Sequence, residues 1–121
     1  METDHQMNEK FLLYCDVEET RRVDCGSGPW SYSLLGPENG CVNECMTGVS
    51  GYSSTDFTPP DVHTFQEGFM VLSGSGEAKV GEDVFALKPM RSFLVPAGME
   101  HALRSSSLSE PLMVFWFHAK G

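Results

Sequence analysis

Asp61-Val-His63-Thr-Phe65-Gln-Glu67, closed by Gly74, and the later Pro96-Ala-Gly98-Met-Glu-His101 are the stretches on which the fold turns. In an extended strand, positions 61, 63, 65 and 67 share one face. That face would carry Asp61, His63 and Glu67, with Phe65 between the last two. Aspartate and glutamate are poor strand formers and are costly to bury unless something positive compensates them. A divalent cation would compensate them, and His101, arriving from a later strand, would complete its shell.

The surroundings read as strands and turns. Phe69-Met-Val-Leu72 runs into Gly74-Ser-Gly76, and Val84-Phe-Ala-Leu87 passes through Lys88-Pro89 into Ser92-Phe-Leu-Val95. Apolar runs of this length ending in Gly or Pro are the signal of an all-β chain. The same reading predicts strands at Phe11–Cys15, Trp30–Leu35, Cys41–Thr47, Glu67–Ser73, Glu77–Val80, Val84–Leu87, Ser92–Val95, His101–Ser105 and Leu112–His118. A helical turn is expected only at Val17–Arg22. Frequent turns without a helical period argue for a sandwich or barrel.

The two stretches resemble the paired motifs of the cupin superfamily. The first family motif ends in His-x-His, three or four residues, Glu, six residues and Gly; His63, Glu67 and Gly74 match it. The second is Gly, five residues, Pro-x-Gly, two residues and His; Pro96, Gly98 and His101 match that. There are three departures: Asp61 stands where the first histidine is expected, which changes the ligand set, while Asp56 at the first motif's leading glycine and Met90 at the glycine that opens the second motif touch only turn geometry. The resemblance covers about the second half of the chain and implies a double-stranded β-helix, or jelly-roll, barrel. It also implies one divalent transition metal per chain, held by His63, Glu67 and His101, with Asp61 as a fourth ligand or a nearby base.

Imidazole and carboxylate donors suit Fe, Mn, Ni or Zn. With iron, two histidines and one carboxylate resemble the set used in dioxygenase chemistry. With a redox-inert metal, Lewis-acid polarisation beside a carboxylate base gives isomerase or lyase chemistry. Glu67 and Asp61 are then the candidate catalytic groups, acting on a small polar metabolite that chelates the metal. The third reading is a non-catalytic barrel that binds a sugar or another metabolite. Phe65 and Phe69 share parity with Glu67, and Trp116 shares a face with His118. Phe65, Phe69 and Trp116 are therefore the candidate substrate-binding residues, with core filling as the alternative. His118 itself is either an extra ligand or a solvated terminal histidine. Arg91 and Arg104 could bind a substrate carboxylate from loops, but a solvated surface role is expected for each, and Glu100 is expected at the rim.

Composition bounds the rest. A chain of 121 residues, 40% hydrophobic and 21% charged, suits one ordinary domain, expected over residues 11–121 behind a polar, flexible tail of residues 1–10. A net charge of −9, with only eight Lys and Arg, argues against nucleic acid as a partner. The longest apolar run, Leu112–Phe117, is too short to span a membrane. The start of the chain lacks the apolar core of an export signal, so a cytoplasmic location is expected. Cys15, Cys25, Cys41 and Cys45 are then free thiols, packed as small apolar side chains rather than as a zinc site. The apolar outward positions Met70 and Leu72 point to a homodimer, with the segment from Phe11 pairing against the partner's sheet.

Overall fold

Alternation of apolar and polar residues over short runs builds two antiparallel sheets in the computed structural model, which describes residues 11–25 and 28–120. The strands are β1 (Arg22–Asp24), β2 (Trp30–Ser33), β3 (Met46–Tyr52), β4 (Gln66–Ser73) and β5 (Gly76–Val80). Then follow β6 (Asp83–Leu87), β7 (Ser92–Val95), β8 (His101–Ser105) and β9 (Leu112–Ala119). The larger sheet has the order β1-β2-β3-β9-β4-β7 and the smaller β6-β5-β8. This is the jelly-roll architecture that the motifs imply. Among the described residues there is no α-helix, only single 3-10 turns at Val17–Glu19 and Pro37–Asn39.

The core lies between the sheets and follows the period of two. Leu112, Val114 and Trp116 of β9 face inward beside Phe69 and Val71 of β4. Ala78, Val80 and Leu103 close the space from the smaller sheet. Register then places the polar residues. Glu67 pairs with His118 across β4 and β9, one step beyond the Phe69–Trp116 pair, and Val80 pairs with His101 across β5 and β8. The apolar layers therefore end, at one mouth of the barrel, in a polar layer built by both sheets.

Motif glycines occupy positions that need them. Gly74 turns β4 into β5 at φ +79°, and a Cβ there would meet the Pro111 carbonyl oxygen at 2.2 Å. Met90, where the family motif has glycine, nevertheless adopts φ +75° while 77% exposed, a backbone state that side chains disfavour.

Three expected elements are corrected. Phe11–Cys15 is irregular and pairs with no strand; instead the Phe11 ring lies against Gly40 and Asn39 donates to the Leu12 carbonyl. The strand expected at Cys41–Thr47 begins only at Met46 and runs on to Tyr52. Asn43 and Glu44 take left-handed backbone angles, φ 55° and 61°, and no strand continues through such a turn. Finally, the residues from Asp61 to Glu67 do not form one strand: β4 starts at Gln66, and Asp61 touches the sheet through one isolated bridge to His101. The expected tail, residues 1–10, lies outside the described residues.

Candidate metal centre

Glu67 and His101 come to the mouth of the barrel on strands, and each is 8% exposed. Asp61 and His63 come from the loop before β4, which is pinned by backbone bonds. Asp61 N donates to the His101 carbonyl and His101 N to the Asp61 carbonyl, both at 3.0 Å. The second motif holds the same loop from the other side: Gly98, at φ +80°, donates its N–H to the His63 carbonyl at 2.8 Å. The Pro-x-Gly turn thus positions His63, while the strand it leads into supplies His101. That explains why the two motifs occur together.

The donor atoms converge. His63 Nε2 is 3.6 Å from Asp61 Oδ2 and 3.4 Å from Glu67 Oε1, and His101 Nε2 is 3.3 Å from the same glutamate oxygen. Asp61, His63 and His101 offer ligand atoms that all lie within 4.8 Å of one another. An ion with four tetrahedral bonds of about 2.1 Å holds its donors about 3.4 Å apart. These spacings fit such an ion. Glu67 Oε1 is also buried without a hydrogen-bond partner, an arrangement that costs free energy where nothing fills the gap. The donor set therefore suits a divalent transition metal.

His118 belongs to the cluster, not to the solvent. Its side chain is 15% exposed, and its Nε2–H donates to Glu67 Oε2 at 2.9 Å. Burial pushes the Glu67 carboxyl up, but the adjacent imidazoles of His101 and His118 outweigh it and hold the group below its ordinary value. The rings are stacked in place: His63 on Phe65 at 4.7 Å, and His118 between Phe65 at 4.3 Å and Trp116 at 4.7 Å. The signal for His118 was present in the sequence, because it continues the inward parity of Leu112, Val114 and Trp116.

The other expected site residues are distributed differently. Phe69, 3% exposed, stacks on Phe93 in the core, and Trp116, 8% exposed, donates its indole N–H to Ser50 Oγ at 2.8 Å. Neither lines the two larger cavities beside the cluster, whereas Phe65 lines one of them. Arg104 pairs with Glu77 and lies over Phe57, and Glu100 is exposed. All four cysteines are free, but they are not packed away as expected: Cys25 and Cys45 are exposed, and Cys15 and Cys41 are half-buried.

One cavity of ≈ 350 Å³ opens onto Asp61 and His101 and is walled by Trp30, Tyr52, Thr58 and Pro59. The second, ≈ 520 Å³, lies beyond Phe65 and His118 and is bordered by Cys41, Cys45 and Met46. Both are large enough for a small ligand. Tyr52 escaped the sequence reading because β3 was expected several residues too early. Burial, with the negative charge of Glu67 and Asp61, pushes its phenol well above the ordinary range, so it remains an O–H donor.

A family model described as "Cupin domain" matches residues 53–118. The fold resembles that of an RmlC-like cupin from Shewanella frigidimarina, at 17% identity and a TM-score of 0.72, over 91% of this chain and 96% of that one. It also resembles the polyketide cyclase RemF from Streptomyces resistomycificus, at 14% identity and a TM-score of 0.73, over 86% and 76% of the two chains. A variant of oxalate decarboxylase from Bacillus subtilis is similar at 11% identity and a TM-score of 0.76, over 92% of this chain and 30% of that one. None of the curated proteins matches the chain at a significant level.

Proposed function

Because the chain belongs to the cupin family, we propose that it is a metal-dependent enzyme acting on a small molecule that chelates the metal. The observation that carries this reading is the buried Glu67 Oε1, unpartnered yet 3.4 Å and 3.3 Å from two imidazole nitrogens. His63, Glu67 and His101 hold the ion, with Asp61 as a fourth ligand or a base. His118 is a positioning residue that fixes the second oxygen of Glu67. The metal is Fe, Mn, Ni or Zn, and it would supply Lewis acidity or, as iron, oxygen activation.

Isomerase or lyase chemistry is the better supported of the two. Asp61, its side chain 65% exposed, faces the smaller cavity and can take a proton from a bound substrate at a carboxylate oxygen. The Tyr52 hydroxyl on the same cavity can donate a hydrogen bond to that substrate. Dioxygenase chemistry is the second enzymatic reading, favoured by the arrangement of two histidines and one carboxylate. The names of the cyclase and the decarboxylase sharing the fold support catalysis in general. A non-catalytic binding barrel is favoured by one observation: His118 already satisfies one oxygen of Glu67 without a metal.

Elemental analysis of tag-free protein tests the reading. About one transition metal per chain is expected, as a single site of this ligand count requires. If His63→Ala and His101→Ala retain as much metal as the parent, the assignment fails. Free thiols suit the cytoplasmic location we propose, and no described helix is long and apolar enough to cross a membrane. We further propose a two-fold dimer through the outer face of the larger sheet, where Leu72, Leu94 and Phe117 are 48%, 50% and 42% exposed. Light scattering across concentrations checks it, and a monomer throughout would exclude it.

A further inference from the structure

We infer that the cavity opening onto Asp61 and His101 selects uncharged ligands, with an apolar or aromatic body and hydroxyl groups, and rejects anionic ones. This rests on the metal-site reading above and narrows its substrate class. Of the described residues lining either cavity, none is Lys or Arg. The smaller cavity has Pro29, Trp30 and Pro59 as apolar wall, with Tyr52 and Thr58 as hydroxyls. Flat apolar surface beside hydroxyl groups is complementary to a neutral ligand.

Three nearby cations are already engaged, and Lys79 borders His101 from a separate cavity of ≈ 40 Å³ rather than lining either of these two. The Arg22 guanidinium lies 4.4 Å from the centre of the Trp30 ring, and its Nε donates to Asp24 at 2.9 Å. Lys120 is 3.7 Å from Glu44, beside the larger cavity, and Arg104 is paired with Glu77. The donor cluster itself carries two carboxylates, Glu67 and Asp61, so a divalent ion is balanced before any ligand arrives. A carboxylate on the ligand body would lose water without gaining a partner, and it would face Asp61 across the cavity.

The test uses two isosteric probes with the same chelating head, 4-carbamoylbenzohydroxamate and 4-carboxybenzohydroxamate. They are titrated calorimetrically into the Zn(II)-loaded protein at pH 7. The carbamoyl probe is expected to bind at least about tenfold more tightly, the order of effect of desolvating an unpaired charge at a partly open site. Pro59→Lys, which adds a cation at an exposed position of the wall, is expected to narrow that gap at least threefold, read as the ratio of the two affinities within the same variant. Equal affinities in the parent overturn the inference while leaving the metal site standing. A gap that Pro59→Lys does not narrow also overturns it, because charge is then not the cause. If the protein takes up no Zn(II), the metal-site reading itself fails and the inference falls with it; if Zn(II) is held but neither probe binds, the inference alone falls.

Discussion

Glu67, His101 and His118 reach the cluster from β4, β8 and β9, whereas Asp61 and His63 reach it from the loop before β4. The strand group is 8%, 8% and 15% exposed at the side chain, and the loop group 65% and 24%. The strand donors sit in ladders whose backbone bonds must break before they move. Among the described residues, the backbone at the loop donors is tied by the Asp61–His101 bridge and the Gly98 N–H rather than by a continuous ladder. A rigid half and an adjustable half give an ion a firm seat while leaving one side open to ligand exchange. Glycine placement reinforces the contrast, since Gly98 shapes the turn that holds the loop half, whereas Gly74 turns β4 into β5 within the strand framework.

The comparison makes a ranked set of losses. Glu67→Gln should cost the most, lowering metal affinity more than about 100-fold, beyond what loss of a merely supporting partner costs. A competitive chelator titration measures it. If Asp61→Asn costs as much, the division into rigid and adjustable donors is wrong. His118→Ala should come next, at about 10- to 100-fold, because it frees the second Glu67 oxygen without removing a ligand. Asp61→Asn should cost least, about tenfold or less, and Asp61→His should hold the metal at least as well as the parent. Turnover then separates Asp61's roles: a base predicts activity lost in both Asp61 variants while metal is kept.

Acid sensitivity follows from the same rigid half. In the folded, metal-free protein, the Glu67 carboxyl lies below its ordinary value: burial raises it, and His101 and His118 more than offset that. The stability gained from ionised Glu67 is therefore complete above the ordinary carboxylate range. It is lost as pH falls through the depressed folded value. Urea unfolding in pH steps should show this loss in the parent and a flatter acid limb in Glu67→Gln.

The smallest effect concerns a turn remote from the donors. Met90→Gly should stabilise the protein by about 1 kcal/mol, because the left-handed backbone suits glycine and the exposed side chain gives up little packing. That corresponds to a rise in Tm of about 4 °C. Metal affinity should stay within about twofold. A larger change would show that framework strain and the site are coupled, contrary to the division drawn here.

The sequence by itself determined the all-β class, the family, most strands from Gln66 onward, and the residues His63, Glu67 and His101 as metal-ligand candidates. Those rest on local features: period-two alternation, glycines required by turn geometry, and donor types that bury badly without a cation. Only the tertiary structure decided how the donors are delivered. A strand running from Asp61 to Glu67 satisfies the side-chain period, yet the chain instead bridges Asp61 to His101 and ties His63 to Gly98. Those bonds join residues more than thirty positions apart, so no window of sequence contains them. The same holds for His118, whose partner is chosen by the β4–β9 register, and for Tyr52. It was hidden because left-handed turns at Asn43 and Glu44 delay β3. Phe69 and Trp116 went to the core for a related reason. Parity tells which way a side chain points, but packing density from the facing sheet decides whether that direction is cavity or core.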